Sequence, residues 1–234
     1  VMGTEVGDTA YFDPRHRALI HYKGKRWFLC NVAADEVSRD GFDAYATGSK
    51  EIDGREGTWR DAEDGHLEGN PIAQGSVDST GQVTLKLNPN EVQTIYYWIC
   101  AGESYYDVAK DNQAVLERGP ESFIQRTRDY WKAWIHEKTM NFADLPPEVT
   151  RMYRRSLLIL RTQIDSNGGI LAANDTDVSQ FNRDTYSYVW PRDGAIVANA
   201  LVGAGHVDTT RRFFMFCRDI ISREGFMLHK YNPD

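Results

Sequence analysis

The stretch TYSYVWPRDGAIVANAL, Thr185 to Leu201, changes its period in the middle. Tyr186, Tyr188 and Trp190 alternate, so an extended segment carries all three rings on one side. Beyond Pro191 the pattern is helical, from about Asp193 to Ala204, with Ile196, Val197, Ala200 and Leu201 as its apolar face and Gly203 or Gly205 as its stop. Asp193 stands at the start of that helix, where a carboxylate satisfies free backbone donors. The Arg192-Asp193 pair therefore has two readings, a helix cap beside a surface arginine or a fixed donor-and-acceptor fork. One carboxylate can serve both.

Outward from this stretch the helical period continues. A helix starting near Pro146-Pro147-Glu148 places Val149, Met152, Tyr153, Leu157, Leu160 and Ile164 on one side. Another starts at Asp208 and carries Phe213, Phe216, Cys217, Ile220 and Ile221. An earlier one starts at Gly119-Pro120-Glu121-Ser122 and shows Phe123, Ile124, Thr127, Tyr130, Trp131, Trp134 and Ile135 as a broad face. The connections alternate in length: long from Asp165 to Trp190, tight at Gly205-His206-Val207, open again from Arg223. Long loops are uncommon unless functional. Antiparallel helices with every elaborated loop at one end suit a toroid with a site among those loops.

From Val1 to about Tyr106 the pattern is short and alternating. Ala18–Tyr22 and Arg26–Cys30 flank a Lys23-Gly24-Lys25 turn, a hairpin signature. Val83–Leu87 alternates as a further strand, and the turn Asn88-Pro89-Asn90-Glu91 leads to a last run, Val92–Cys100. Short strands with polar turns predict an antiparallel β-sandwich.

Composition excludes some partners. Asp plus Glu outnumber Lys plus Arg, 34 to 27, which argues against nucleic acid or an anionic membrane. No run approaches the roughly 18 apolar residues of a membrane span, and the first residues show no signal-peptide pattern, so the expected location is cytoplasmic. Cys30, Cys100 and Cys217 are widely spaced and read as free thiols. There is no HExxH, metal cluster or phosphate-cradling Gly loop, so no metal and no cofactor is expected.

Guanidinium and carboxylate together can grip adjacent hydroxyls of one sugar ring, and the apolar face of a pyranose stacks on rings such as Tyr186 and Trp190. The run Tyr186–Asp193 resembles the first active-site segment of family 15 glycoside hydrolases, the glucoamylase family. Three more stretches resemble the prokaryotic members in the same order. Asp61–Gly65 with Gly75–Ser79 matches their N-terminal sandwich, Gly168–Ala173 the loop after the first barrel helix, and Gly225–Asp234 the loop after the third.

The resemblance implies a β-sandwich (1–115), a helical linker (116–143) and the first three helices of an (α/α)6 barrel (144–234). It implies an exo-acting α-glucosidase that releases glucose from non-reducing ends by inversion. Arg192 and Asp193 would hold the terminal glucose, Trp190 would line the pocket, and Tyr186 would lie near the carbon where positive charge develops. An inverting pair of carboxyl groups stands about 6.5–9.5 Å apart, and in the family both come from later loops, beyond Asp234. Asp175, Asp177 and Asp184 are weak local candidates. His229 reads as bordering the pocket, Lys230, Tyr231 and Asn232 as rim, and His206 as a hairpin residue. Trehalase and glucodextranase activity stay open within the family, as does a non-catalytic carbohydrate-binding module. The expected partner is an α-linked glucose oligosaccharide or polysaccharide. Three helices of a toroid leave apolar surface that the rest of the barrel or another copy must cover.

Overall fold

The structure is a computed structural model that describes residues 8–34, 40–49, 57–138, 140–173 and 187–232. It divides into two compact units, Val1–Gln125 and Arg126–Asp234.

In the first unit, five antiparallel strands form a sheet. They are β1 (Thr9–Asp13), β2 (Ala18–Lys23), β3 (Arg26–Ala34), β5 (Ile72–Gln74) and β7 (Ile95–Gly102), in the order β5-β1-β2-β3-β7. β4 (Ala44–Ser49) and β6 (Val77–Gln82) pair as a separate two-stranded ribbon, and Thr58–Asp61 forms the single helical turn α1. The predicted hairpin is β2–β3, with Lys23 opposite Arg26 and Gly24 at φ +56° between them. A side chain is disfavoured at that φ, which accounts for the glycine.

Alternation along β2 gives the sheet two apolar faces. Ile20 and its partner Leu29 pack with Ala18, Cys100 and Val108. Val108 belongs to α2 (Tyr105–Arg118), so a helix covers this face. Leu19 and Val32 point the other way, onto Phe42 and Tyr45, and the Phe12 ring stacks on Tyr45 at 3.7 Å.

Two strand-region expectations change. Val83–Leu87 forms no strand: β6 ends at Gln82, the Thr84 N–H turns to the Asp43 carboxylate at 2.7 Å, and Leu87 is exposed. Alternation there lacks a partner strand. Helix α2, unread in the sequence, is capped by Ser104, whose hydroxyl accepts the Asp107 N–H. Its buried Asn112 accepts from Asn31 (3.1 Å) and from the Trp98 indole (3.0 Å), so the helix is fixed to the sheet by polar as well as apolar contacts.

The later helices fall where the periodicity puts them: α3 (Pro120–His136), α4 (Pro147–Thr162), α5 (Pro191–Gly203) and α6 (Val207–Ile220). The boundary between the two units lies inside α3. In the second unit Leu157, Leu201 and Ala204 form one cluster with Trp134, Tyr153 and Leu160, and Ile170, Ala198 and Phe213 form another.

The inward face of α5 differs from expectation. Gly194, Ala198 and Leu201 are buried, whereas Ile196 is 69% exposed. Small residues let α6 approach closely: a Cβ on Gly194 would lie 2.5 Å from the Phe213 ring. The α5–α6 turn is a Schellman motif, with His206 N–H bonded to Leu201 C=O and Gly205 N–H to Val202 C=O, both at 2.9 Å. Gly205 sits at φ +85°. Met152, Ile159, Ile196, Phe214 and Leu228 of this unit are exposed. No described helix is long and apolar enough to cross a membrane.

Candidate functional site

Both ends of the α4–α5 connection and the segment after α6 meet at Val189. After α4 the chain turns back at once, because the Asp165 carboxylate accepts the N–H groups of Asn167 (3.0 Å) and Gly169 (2.7 Å). Gly168 takes φ +94° against the α6 backbone at Arg212, a place with no room for a Cβ. Ile164 then pairs with Ile170, and Leu171 with Val189. On its other side Val189 pairs with Tyr231 from the loop after α6. Val189 is fully buried, so the middle rung of this small ladder is dry. The long-short-long reading of the connections is realised here by backbone hydrogen bonds.

Tyr188 and Trp190 flank Val189 and so share a side of the extended segment. Each has a cationic neighbour. The Lys230 ammonium is 4.3 Å from the Tyr188 ring centroid, and the Arg192 guanidinium is 5.8 Å from that of Trp190. The His229 ring is 5.5 Å from Trp190.

Helix α5 has Trp190 as N-cap residue and Pro191 at its first position, where a missing N–H costs nothing. That places Asp193 in the first turn and not at the cap. It makes no side-chain capping bond; its carboxylate takes the Arg192 Nη2 at 3.0 Å. The two side chains form an ion pair with each other at the start of the helix. Both groups stay in contact with solvent, the arginine side chain at 68% and the aspartate at 39%.

Asp193 opens onto a groove of about 450 Å³ between α4, α5 and the loop after α4, walled by Ile159, Gln163, Ala172 and Ile196. Asp193 is the one carboxylate in its described lining. The Gln163 side-chain oxygen is buried without a hydrogen-bond partner among the described residues. Sequence reasoning missed Gln163. Its only sequence signal was a polar side chain just after an apolar helix.

Trp190, Arg192 and Asp193 are thus brought together, but only Asp193 reaches this groove, and Arg192 lies across Trp190. Tyr186, Asp175, Asp177 and Asp184 lie outside the described residues. Among the described residues no group of three His, Cys, Asp or Glu side chains is placed to hold a metal.

Residues 149–231 match the model of glycosyl hydrolases family 15. The match covers α4, the loop cluster, α5 and α6. An uncharacterized glycosyl hydrolase of Methanocaldococcus jannaschii is 26% identical over 129 residues, 54% of this chain and 20% of that protein. A bacterial glucoamylase solved in complex with acarbose superposes with a TM-score of 0.76 at 17% identity, over 97% of this chain and 33% of its own. At that identity the likeness speaks for the fold, antiparallel sheet followed by helices. The chain described here spans a third or less of these relatives.

Proposed function

We propose that the whole protein is a glucoamylase-like exo-acting α-glucosidase, and that the loop cluster around Val189 carries part of its innermost sugar subsite. The observation that supports this most directly is the Arg192–Asp193 pair, held where the α4–α5 connection and the segment after α6 converge, with its carboxylate opening into a groove. In this reading the fork grips two hydroxyls of a terminal glucose, Trp190 and Tyr186 offer stacking surface, and the buried Gln163 oxygen accepts one further hydroxyl proton. A ring face or phenolic oxygen beside the anomeric carbon stabilises developing positive charge. The acarbose bound by the glucoamylase of like fold fits an α-linked glucose oligosaccharide as ligand.

An inverting reaction needs a general acid and a general base on opposite faces of the sugar. The groove's described lining offers Asp193 alone, so both roles are assigned to later loops of the longer protein. The same reading treats 1–115 as a sandwich domain, 116–143 as a linker and 144–234 as the first three helices of an (α/α)6 barrel.

The deciding experiment compares hydrolysis of maltotriose, isomaltose and trehalose by the full-length protein. Preferential release of glucose from maltotriose supports the reading. Inactivity on all three overturns it.

A further inference from the structure

A second cavity lies at the other end of the same helical unit, where the C-terminal end of α3, the first half of α4 and the α5–α6 turn meet. Its volume is about 170 Å³. That is below the usual range for a sugar or drug-sized ligand and suits a small ion. His136, Lys138, Arg154 and His206 line it, and no carboxylate does among the described residues.

Two of these groups have no hydrogen-bonding or ionic partner among the described residues. Arg154 is half-buried with its guanidinium 5.9 Å from the centroid of the Phe142 ring, and it has no carboxylate partner among the described residues. His206 is 4% exposed and stacked on Trp134 at 4.3 Å, and its ring nitrogens make no hydrogen bond to a described residue. The Tyr153 hydroxyl, also on the cavity wall, has no such partner either. Lys138 differs, since Glu137 takes its ammonium at 2.6 Å. A half-buried cation without a counter-ion is costly, and an imidazole with no acceptor among the described residues leaves a donor free for a ligand on the cavity side. An oxyanion in the cavity would relieve both, because a planar guanidinium fork matches tetrahedral oxygens and imidazole and phenol add single donors.

We propose that this cavity is a binding site for a phosphoryl oxyanion, held by Arg154 with His206 and Tyr153 as further donors. It is separate from the loop cluster and independent of the reaction proposed there. Burial lowers the His206 imidazole's affinity for a proton, with Glu137 opposing that shift and Lys138 adding to it. A bound anion reverses the balance and draws a proton onto the ring.

The test is calorimetric titration of the full-length protein with inorganic phosphate and, separately, glycerol phosphate, at fixed ionic strength against chloride. The histidine ring protons are followed by NMR alongside. Binding of inorganic phosphate alone assigns the free ion, and binding of both compounds assigns a phosphoryl group. In either case the His206 titration midpoint should rise by about one unit. Arg154→Gln should weaken binding about tenfold or more, while Arg154→Lys retains part of it. No phosphate-specific heat and no movement of the His206 signal would overturn the proposal. So would undiminished binding by a folded Arg154→Gln protein. A longer chain that seats its own carboxylate against Arg154 gives the first of these results.

Discussion

Val189 and Tyr231 exchange two backbone hydrogen bonds, each 2.9 Å from nitrogen to oxygen, across 42 positions of sequence. With the Leu171 bridge on the opposite side, one buried residue joins the loop after α4 to the loop after α6 and sets the entry into α5. Val189→Pro removes one donor and leaves the Tyr231 carbonyl unsatisfied, at a cost of about 1–3 kcal/mol. The expected outcome is a lower urea midpoint together with weaker acarbose binding, measured by denaturation and calorimetry. Unchanged sugar affinity would mean that the loop ladder does not hold the subsite.

Arg192 and Asp193 should separate stability from binding. Their ion pair is largely solvated, and such pairs contribute about 0–1 kcal/mol. Arg192→Lys and Asp193→Asn should therefore leave the unfolding midpoint almost unchanged. If the proposed subsite holds, each variant loses a charge-assisted hydrogen bond to the sugar, so kcat/KM on maltotriose should fall about tenfold or more. A fall in stability with no fall in kcat/KM would return the pair to the plain helix-start reading.

Much of this arrangement was legible because it rests on local rules. The hairpin at Gly24, the starts of α3 and α4 and the turn at Gly205 each follow from a residue with a narrow conformational preference. The clustering of the long loops followed from their lengths alone. What escaped depends on tertiary partners. Val83–Leu87 alternates like a strand, yet the Thr84 N–H found a side-chain acceptor and the run ends as exposed chain. The Ser104 cap and Asp107 of α2 were present in the sequence, but the short alternating pattern was read as running on to about Tyr106. Ile196 had the apolar character of a core residue, but the inward positions went to Gly194 and Ala198. Gln163 belongs to the groove through the fold of the Asp165 turn, which no spacing rule encodes.

Gly194 is the position where close helix approach is most exposed to mutation. In an isolated helix Gly→Ala gains roughly 1 kcal/mol. Here the added methyl would sit 2.5 Å from the Phe213 ring, itself 1% exposed and packed into the Ile170–Ala198 cluster. Overpacking costs about 1–3 kcal/mol and outweighs the propensity gain. Gly194→Ala should lower Tm, and Gly194→Ala with Phe213→Leu should recover part of the loss. Stabilisation by the single change, in a thermal melt, would show that α5 and α6 stand further apart than described.

His206 links stability to pH. Burial lowers its imidazole pKa below the ordinary value of about 6.5, with Glu137 opposing and Lys138 assisting the shift. The unfolded chain then binds the proton more readily than the folded one, so stability rises with pH. The contribution is complete above about pH 6.5 and is lost as the pH falls through that value toward the lower folded pKa. One such group gives a slope of at most about 1.4 kcal/mol per pH unit. His206→Phe keeps a ring against Trp134 but carries no proton. In urea titrations without phosphate, the variant should show a shallower rise in stability from pH 5 to about pH 7 than the parent. Parallel profiles would assign the slope to other groups, such as His21, whose imidazole is also held low by burial.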